Sequence, residues 1–384
     1  MYQQNVIKEL SMNSSLAYAV QVETGRGYEA SEPGEVAIRC ASRALEGMQK
    51  EAVLYRSGRD LGLRLLCDEG PYLNGTDLAP PPLAYFSAGV AACFAGEVLR
   101  VLTGRGLSTD GFRLVLDCFF SMEGSALQGT MKAGALPVVV RIKSNSANDA
   151  EFQKAAREAI RSSAIHYLLN ETLQDTFSIC FNGDSVATGQ ARPSPNNPPD
   201  NYSYYLRTGG TVRQKGGTPA WVEKMEATQI VDETDHGAGA ALKDSQKRVL
   251  NIRAGLCVDE GGFGRIDVQI IKPIGSNFRF RVELDGSGSA PDGYDLVSAG
   301  IAFCYMTQMQ RYANIMKNEL ADYGVVQDTT FGIGKGDCSP VDTHVFIDSV
   351  LEADTIRKIV DMGEQTCFLH AACSSSQAAV VKFE

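Results

Sequence analysis

The sequence lacks a basic surplus: 36 lysines and arginines stand against 46 aspartates and glutamates, for a formal net charge of −10. With no excess of cations to neutralise phosphates, nucleic acid is excluded as the main partner. It also lacks a long apolar run. The longest nearly uncharged stretch, residues 83–96, is shorter than the roughly 18 residues a membrane span needs. The first fifteen residues are polar, with Lys8 and Glu9 early, so no signal-peptide pattern shows and a cytoplasmic protein is expected. The four histidines (166, 236, 344 and 370) show no H-E-x-x-H spacing, and no G-x-S-x-G elbow occurs. Zinc hydrolases and α/β-hydrolases therefore have no support.

What the chain does have is ten cysteines in 384 residues, at 40, 67, 93, 118, 180, 257, 304, 338, 367 and 373. None forms a C-x-x-C pair or a disulfide framework, so neither a zinc ribbon nor a secreted scaffold fits. In a reducing compartment most are expected to be free thiols serving as small buried hydrophobes.

The chain also repeats itself. Ser87-Ala-Gly-Val-Ala-Ala-Cys93-Phe94 matches Ser298-Ala-Gly-Ile-Ala-Phe-Cys304-Tyr305, each following prolines and opening a long helical pattern. Upstream, Arg64-Leu-Leu-Cys-Asp68 parallels Arg281-Val-Glu-Leu-Asp285 in strand-like surroundings. Downstream, amphipathic stretches 148–169 and 352–372 carry Ser163-Ala-Ile-His166 and Cys367-Phe-Leu-His370, and each precedes a short apolar strand. Four matches in the same order at nearly constant separation indicate a tandem duplication. The proline-rich stretch 192–200 marks the boundary, giving domain one at 1–183, a linker at 184–219 and domain two at 220–384. Tyr202, Tyr204 and Tyr205 suggest a linker that packs against the protein. Each half reads as strands, long helix, strands, second helix and last strand. That order is α+β, with helices against antiparallel-rich sheets.

The helices around Cys93 and Cys304 are apolar nearly all round and so should be buried. Burial raises a thiol's pKa, and a reactive thiol there needs a cation that stays charged when desolvated. Arg64 and Arg281, on the preceding strands, are the candidates. His370, three residues after Cys367, should share its helical face.

The run from Asp77 through Pro80, Pro81 and Pro82 to Cys93 resembles the signature of the OsmC/Ohr superfamily, the osmotically inducible and organic hydroperoxide resistance proteins. The segment from Gly300 to Cys304 resembles the same element again, and Cys367-Phe-Leu-His370 the family's resolving-cysteine segment. The resemblance implies two tandem OsmC-like domains forming a single-chain pseudo-dimer, open to further oligomerisation. It implies a cysteine-dependent peroxidase for organic hydroperoxides, with Cys304 peroxidatic and Cys367 resolving through a disulfide. Arg281 or Arg64 would stabilise the thiolate, and Asp295, nine residues before Cys304, would orient that arginine. No bound metal or organic cofactor is implied, only an external reductant, a lipoyl-type dithiol. Departures are plain: Ser163 replaces the first half's resolving cysteine, Leu83 and Ala84 stand where a carboxylate is expected, and neither half has the family's following proline. Site one, with Cys93, Ser163 and His166, therefore reads as degenerate. Two other readings stay open, a scaffold recruited for non-redox chemistry at a cysteine nucleophile and an inactive ligand-binding protein.

Three further motifs are set aside. The loop 332–337 lacks phosphate-loop spacing, 260–265 reads as a hairpin turn, and 232–236 as a solvated acidic loop.

Overall fold

A computed structural model of the chain describes residue 7 and residues 16–21, 29–199, 220–225, 248–272, 274–286, 288, 290–320 and 322–384. The three linker tyrosines and the acidic loop 232–236 lie outside the described residues.

The first part of the chain forms β1 (Ala17–Gln21), β2 (Glu35–Ala44), β3 (Lys50–Arg56) and β4 (Leu61–Cys67), then helix α1 (Pro82–Gly104). Next come β5 (Arg113–Glu123), β6 (Lys132–Lys143), α2 (Ala150–Arg161), α3 (Ala164–Asn170), β7 (Thr176–Phe181) and β8 (Asp184–Val186). The second part forms β9 (Val222–Met225), β10 (Arg248–Val258), β11 (Gly264–Lys272), β12 (Asn277–Val282) and α4 (Gly293–Ile315). It ends with β13 (Asp322–Gly332), β14 (Asp337–Cys338), β15 (Asp342–Asp348), α5 (Ala353–Thr366), α6 (Phe368–Cys373) and β16 (Val380–Phe383).

The strands build two sheets, and each sheet takes strands from both parts of the chain. One runs β1-β4-β3-β2-β13-β15-β7-β8, with β14 on β13; the other runs β16-β6-β5-β10-β11-β12-β9. Read from β1 and from β9, the first seven strands of the two orders correspond one to one, and β8 and β14 have no counterpart in the second sheet. In both, the chain's two parts meet along an antiparallel pair, β2 with β13 and β10 with β5. In both, the one parallel pair carries a strand that follows a short helix, β7 on β15 and β16 on β6. The remaining pairings are antiparallel, as an α+β fold with antiparallel-rich sheets requires. Alternating burial along β11 and β12 shows why these segments are strands: one face of each enters the core.

Helices α1 and α4 lie between the sheets. α1 packs on β5, β10 and β11, α4 on β2, β3 and β13, and the two helices pack on each other. By length and composition α1 would suffice to cross a membrane, but it is a core helix, with 67% of its most apolar window buried in protein. Each begins where the sequence removes or satisfies orphan donors. Pro82 occupies the first position of α1, where its missing N–H costs nothing. α4 opens with a capping box, in which Asp292 accepts from the N–H groups of Tyr294 and Asp295 while Asp295 accepts from that of Asp292.

The two helices meet in opposite directions through glycines. A Cβ on Gly89 would fall 2.6 Å from the Gly293 carbonyl oxygen and 2.7 Å from the Val297 nitrogen. A Cβ on Gly300 would fall 2.9 Å from the Phe86 nitrogen, and one on Gly293 would fall 2.4 Å from the Cys93 sulfur. Backbone cannot yield as a flexible side chain can, so overpacking is costly here. Gly89→Ala is expected to destabilise the fold by about 1–3 kcal/mol. Denaturant unfolding should show a lower midpoint with an unchanged slope; an unchanged midpoint would contradict this helix contact.

Candidate active site: two cysteine clefts

The opposed helices place each central cysteine beside the other helix's N-terminus. Cys304 lines a slot with Pro81, Pro82 and Leu83 from the start of α1, together with Glu69, Thr307, Gln308, Arg311 and Phe368. Cys93 lines a cleft with Asp292, Gly293 and Tyr294 from the start of α4, together with Arg56, Glu97 and Arg100. The slot is much the narrower of the two, about 50 Å³ against about 880 Å³ for the cleft.

This arrangement reassigns Asp295. It sits on the same helix as Cys304, but its carboxylate joins the charges on the Cys93 side. Arg59 Nη1 lies 3.0 Å from Asp295 Oδ2, Arg56 Nη1 lies 3.8 Å from the same oxygen, and Arg56 also pairs tightly with Asp292. Arg59 additionally lies 3.7 Å from Glu283. All five side chains are at most a tenth exposed. Nine residues of helix separate Asp295 from Cys304 by about 13 Å along the axis. The position that does approach Cys304, at the start of α1, carries Leu83.

Arg64 and Arg281 do not line the Cys304 slot. Arg64 pairs with Glu51, and Arg281 pairs with Asp259 at 3.0 Å while stacking 3.5 Å from the centre of the Phe263 ring. Both are strand residues held by carboxylates, Glu51 on β3 and Asp259 just after β10, and their repeat positions do not bring them to this thiol. The arginine that reaches the slot is Arg311, whose guanidinium donates to Gln308 Oε1 at 3.3 Å. Cys304, Thr307, Gln308 and Arg311 follow i, i+3, i+4, i+7 spacing and share one helix face. That polar stripe on an otherwise apolar helix was the available sequence signal, and residue-by-residue repeat matching passed over it. Glu69, on the loop after β4, had no such signal.

The second cysteine arrives by a helix break. Both expected long helices, 148–169 and 352–372, divide in two, α2 from α3 and α5 from α6. Ser163 and Cys367 are the N-caps of the second pieces, so Cys367 precedes the helix whose face it was expected to share with His370. Ser163 Oγ accepts from the His166 N–H at 3.1 Å, and Cys367 Sγ accepts from the His370 N–H at 3.5 Å. The cap brings the Cys367 thiol beside that of Cys304. Burial pushes the Cys367 thiol well above its ordinary value, and Cys304 adds to that rise; the backbone N–H groups of His370 and Leu369 oppose it. Behind it, His370 Nδ1 lies 2.5 Å from Asp175 Oδ2, and its Nε2 lies 3.3 Å from the Gln327 amide. With Nδ1–H donating to the carboxylate, Nε2 accepts from that amide. The ring is boxed by Phe177 and Tyr305.

The first half lacks that pairing. Ser163's hydroxyl is occupied as a cap and donates to Ile160 O at 3.0 Å. His166 is half-buried, and burial followed by Arg161 lowers its pKa. Cys93 is raised well above its ordinary value, chiefly by burial and then by Asp292, against the lowering effect of Arg56. The buried thiol therefore stays protonated near neutrality despite its neighbouring arginine.

A pair of buried thiols in contact between a helix and a helix cap, enclosed by two mixed sheets, defines a thiol-bearing α+β protein. Residues 75–176 match the family model described as OsmC-like protein, which makes that segment an OsmC-like domain. The matched segment holds Cys93, Ser163 and His166 and ends before the second part of the chain begins. No curated protein matches the chain. Among solved structures it is similar to the crystal structure of an OsmC-like hydroperoxide resistance protein from Jannaschia sp. CCS1, at 20% identity. That similarity covers 31% of this chain and 81% of the other, and its TM-score of 0.19 is too low to bear on the fold.

The charge cluster at Cys93 has a titration consequence. Burial first, and then the Asp292 charge, pushes Asp295 up to about 6, against the opposing arginines. An unfolded aspartate ionises near 3.8. Between those values the folded state binds more protons, so this group's contribution to stability falls as pH rises from about 4 to 6. Asp295→Asn should remove that fall. Unfolding free energies at pH 4 and pH 6.5 should therefore move in favour of the variant at the higher pH; a difference independent of pH would refute the assignment.

Proposed function

We propose that the chain is a cysteine-dependent peroxidase for organic hydroperoxides, built as two tandem OsmC-like copies at 1–183 and 220–384 joined by a linker at 184–219. The matched strand orders of the two sheets and the repeated sequence blocks support the tandem reading. On it, the protein is a single-chain pseudo-dimer acting in the cytoplasm, and further association of copies remains compatible with it.

The observation that carries the catalytic reading is the contact between the Cys304 and Cys367 thiols. Cys304 attacks the terminal oxygen of ROOH, forming an S–O bond as the O–O bond breaks and leaving ROH and a Cys304 sulfenic acid. The Cys367 sulfur then attacks the Cys304 sulfur, releasing water and forming the disulfide. An external dithiol of lipoyl type returns both thiols to the reduced state, itself becoming a disulfide. Pro81, Pro82, Leu83, Leu250 and Phe368 give the slot an apolar mouth suited to the organic group of the hydroperoxide.

One observation favours a second reading. The wide cleft at Cys93 has Arg56 and Asp292 at its wall, which suits a cysteine nucleophile acting on a polar small molecule without redox change. An inactive ligand-binding protein would show neither chemistry.

Treatment with an alkyl hydroperoxide should yield a Cys304–Cys367 disulfide by peptide mapping. Cys304→Ser should abolish dithiol-coupled turnover, and Cys367→Ser should stop at a sulfenic acid trappable by a dione reagent. Cys93→Ser should cost less than tenfold, under about 1.4 kcal/mol. Full activity in Cys304→Ser would rule out this site, and a mass-shifted adduct on Cys93 would move the chemistry to the wide cleft.

A further inference from the structure

The Cys304 slot contains a buried carboxyl group that the two-cysteine sequence leaves unused. Glu69 is 3% exposed and lines the slot beside Cys304. Its Oε1 accepts from the Thr307 hydroxyl at 2.8 Å, and its Oε2 accepts from the Tyr72 hydroxyl at 3.3 Å. Thr307 stands one helical turn after Cys304, so the bond holds the carboxyl on the thiol's helix face. The neighbouring Asp68 cannot substitute. Its oxygens accept from the N–H groups of Glu69, Thr76 and Leu78 and from the Thr76 hydroxyl, which fixes it as the brace of the loop.

The groups facing Glu69 come from three directions. β3 supplies Lys50, fully buried with its Nζ donating to Met48 O at 2.6 Å; the loop supplies Asp68 and Tyr72; α4 supplies Thr307 and Arg311. Burial raises the Glu69 carboxyl above its usual range, and Lys50 and the Thr307 hydrogen bond only partly offset this. A carboxyl tuned upward changes protonation state closer to neutrality than a solvated one, as a proton-transfer group requires.

We propose that Glu69, contributed by the first half, is the proton-transfer residue for Cys304 in the second. This role rests on the peroxidase reading. The Cys304 S–H proton passes to the Glu69 carboxylate. The sulfur electron pair then attacks the terminal oxygen of ROOH, so that S–O forms and O–O breaks. The departing alkoxide takes the proton from Glu69 and leaves as ROH. Glu69 ends ionised and ready for the next cycle. Cys304 and Glu69 line the same slot, which places the –OOH head between the thiol and the carboxyl.

The test measures single-turnover sulfenic acid formation in Cys367→Ser, with tert-butyl hydroperoxide and a dione trap, from pH 5 to 9. It is repeated with Glu69→Gln added, which keeps the acceptor for Thr307 but carries no exchangeable acid. The expected result is a loss of about 100-fold or more, together with disappearance of the acidic limb of the pH–rate profile. A rate within threefold of the parent with the same profile would overturn the role of Glu69 and leave the peroxidase reading standing. A parent that traps no sulfenic acid at Cys304 would overturn both. Should Glu69→Gln fail to fold, Glu69→Asp takes its place. It must keep the acidic limb and lose rate, because its acid stands one methylene short; an unchanged rate overturns the proposal.

Discussion

The antiparallel contact of α1 and α4 is the constraint on which the site chemistry depends. Gly89, Gly293 and Gly300 let the two backbones approach so closely that a single Cβ at any of the three would meet backbone or the Cys93 sulfur. Because the helices run in opposite directions, the cysteine of each comes to rest beside the first turn of the other. Each cleft is therefore assembled from both parts of the chain, and no substitution at the start of α1 or α4 acts only on its own half. The sheets follow the same exchange, since β2 completes its sheet with β13 and β10 with β5.

That exchange explains what the sequence made legible and what it hid. The repeated blocks, the α+β order and the burial of the central helices could be read from local pattern, whereas the pairing of Cys304 with Cys367 came only from the family resemblance. Each of the first three depends on residues near one another in sequence or on a direct match between two sequence blocks. Which carboxylate serves which cysteine could not, because spacing along one helix suggests that Asp295 belongs with Cys304. Only the direction in which the helices cross sends Asp295 to Cys93 and leaves Leu83 near Cys304. Arg64 and Arg281 failed for a related reason: a strand residue's repeat position says nothing about which nearby carboxylate will hold it. The breaks at Ser163 and Cys367 were hidden by amphipathic patterns that continue through them, though a serine followed by an amphipathic turn is itself a cap signal.

The two clefts also differ in how they accommodate buried charge. At Cys93, two arginines and three carboxylates are packed together with little exposure, an arrangement whose desolvation cost is repaid only when the charges are matched. With Asp295 holding a proton up to about pH 6, two positive charges face two negative ones; above it the excess is negative. Excess negative charge disfavours a thiolate, in keeping with the raised pKa of Cys93. The arginine beside this thiol is thus largely committed to carboxylates rather than to sulfur.

At Cys304 the balance is different, because the position equivalent to those carboxylates is apolar. Without Asp292 and Asp295 counterparts, the charged groups facing the slot are reduced to Glu69 and Arg311, with Lys50 behind the carboxyl. A sparse site in a narrow apolar slot makes each remaining polar group count more, since low dielectric strengthens every interaction left in it. The departures from the family pattern at Leu83 and Ala84 therefore do not degrade the first cysteine, which lies at the other end of the contact. They leave less negative charge around the second, whose thiol lies beside that of Cys367. The charge around each cysteine is thus a property of the shared cleft, not of the part of the chain in which the residues happen to be encoded.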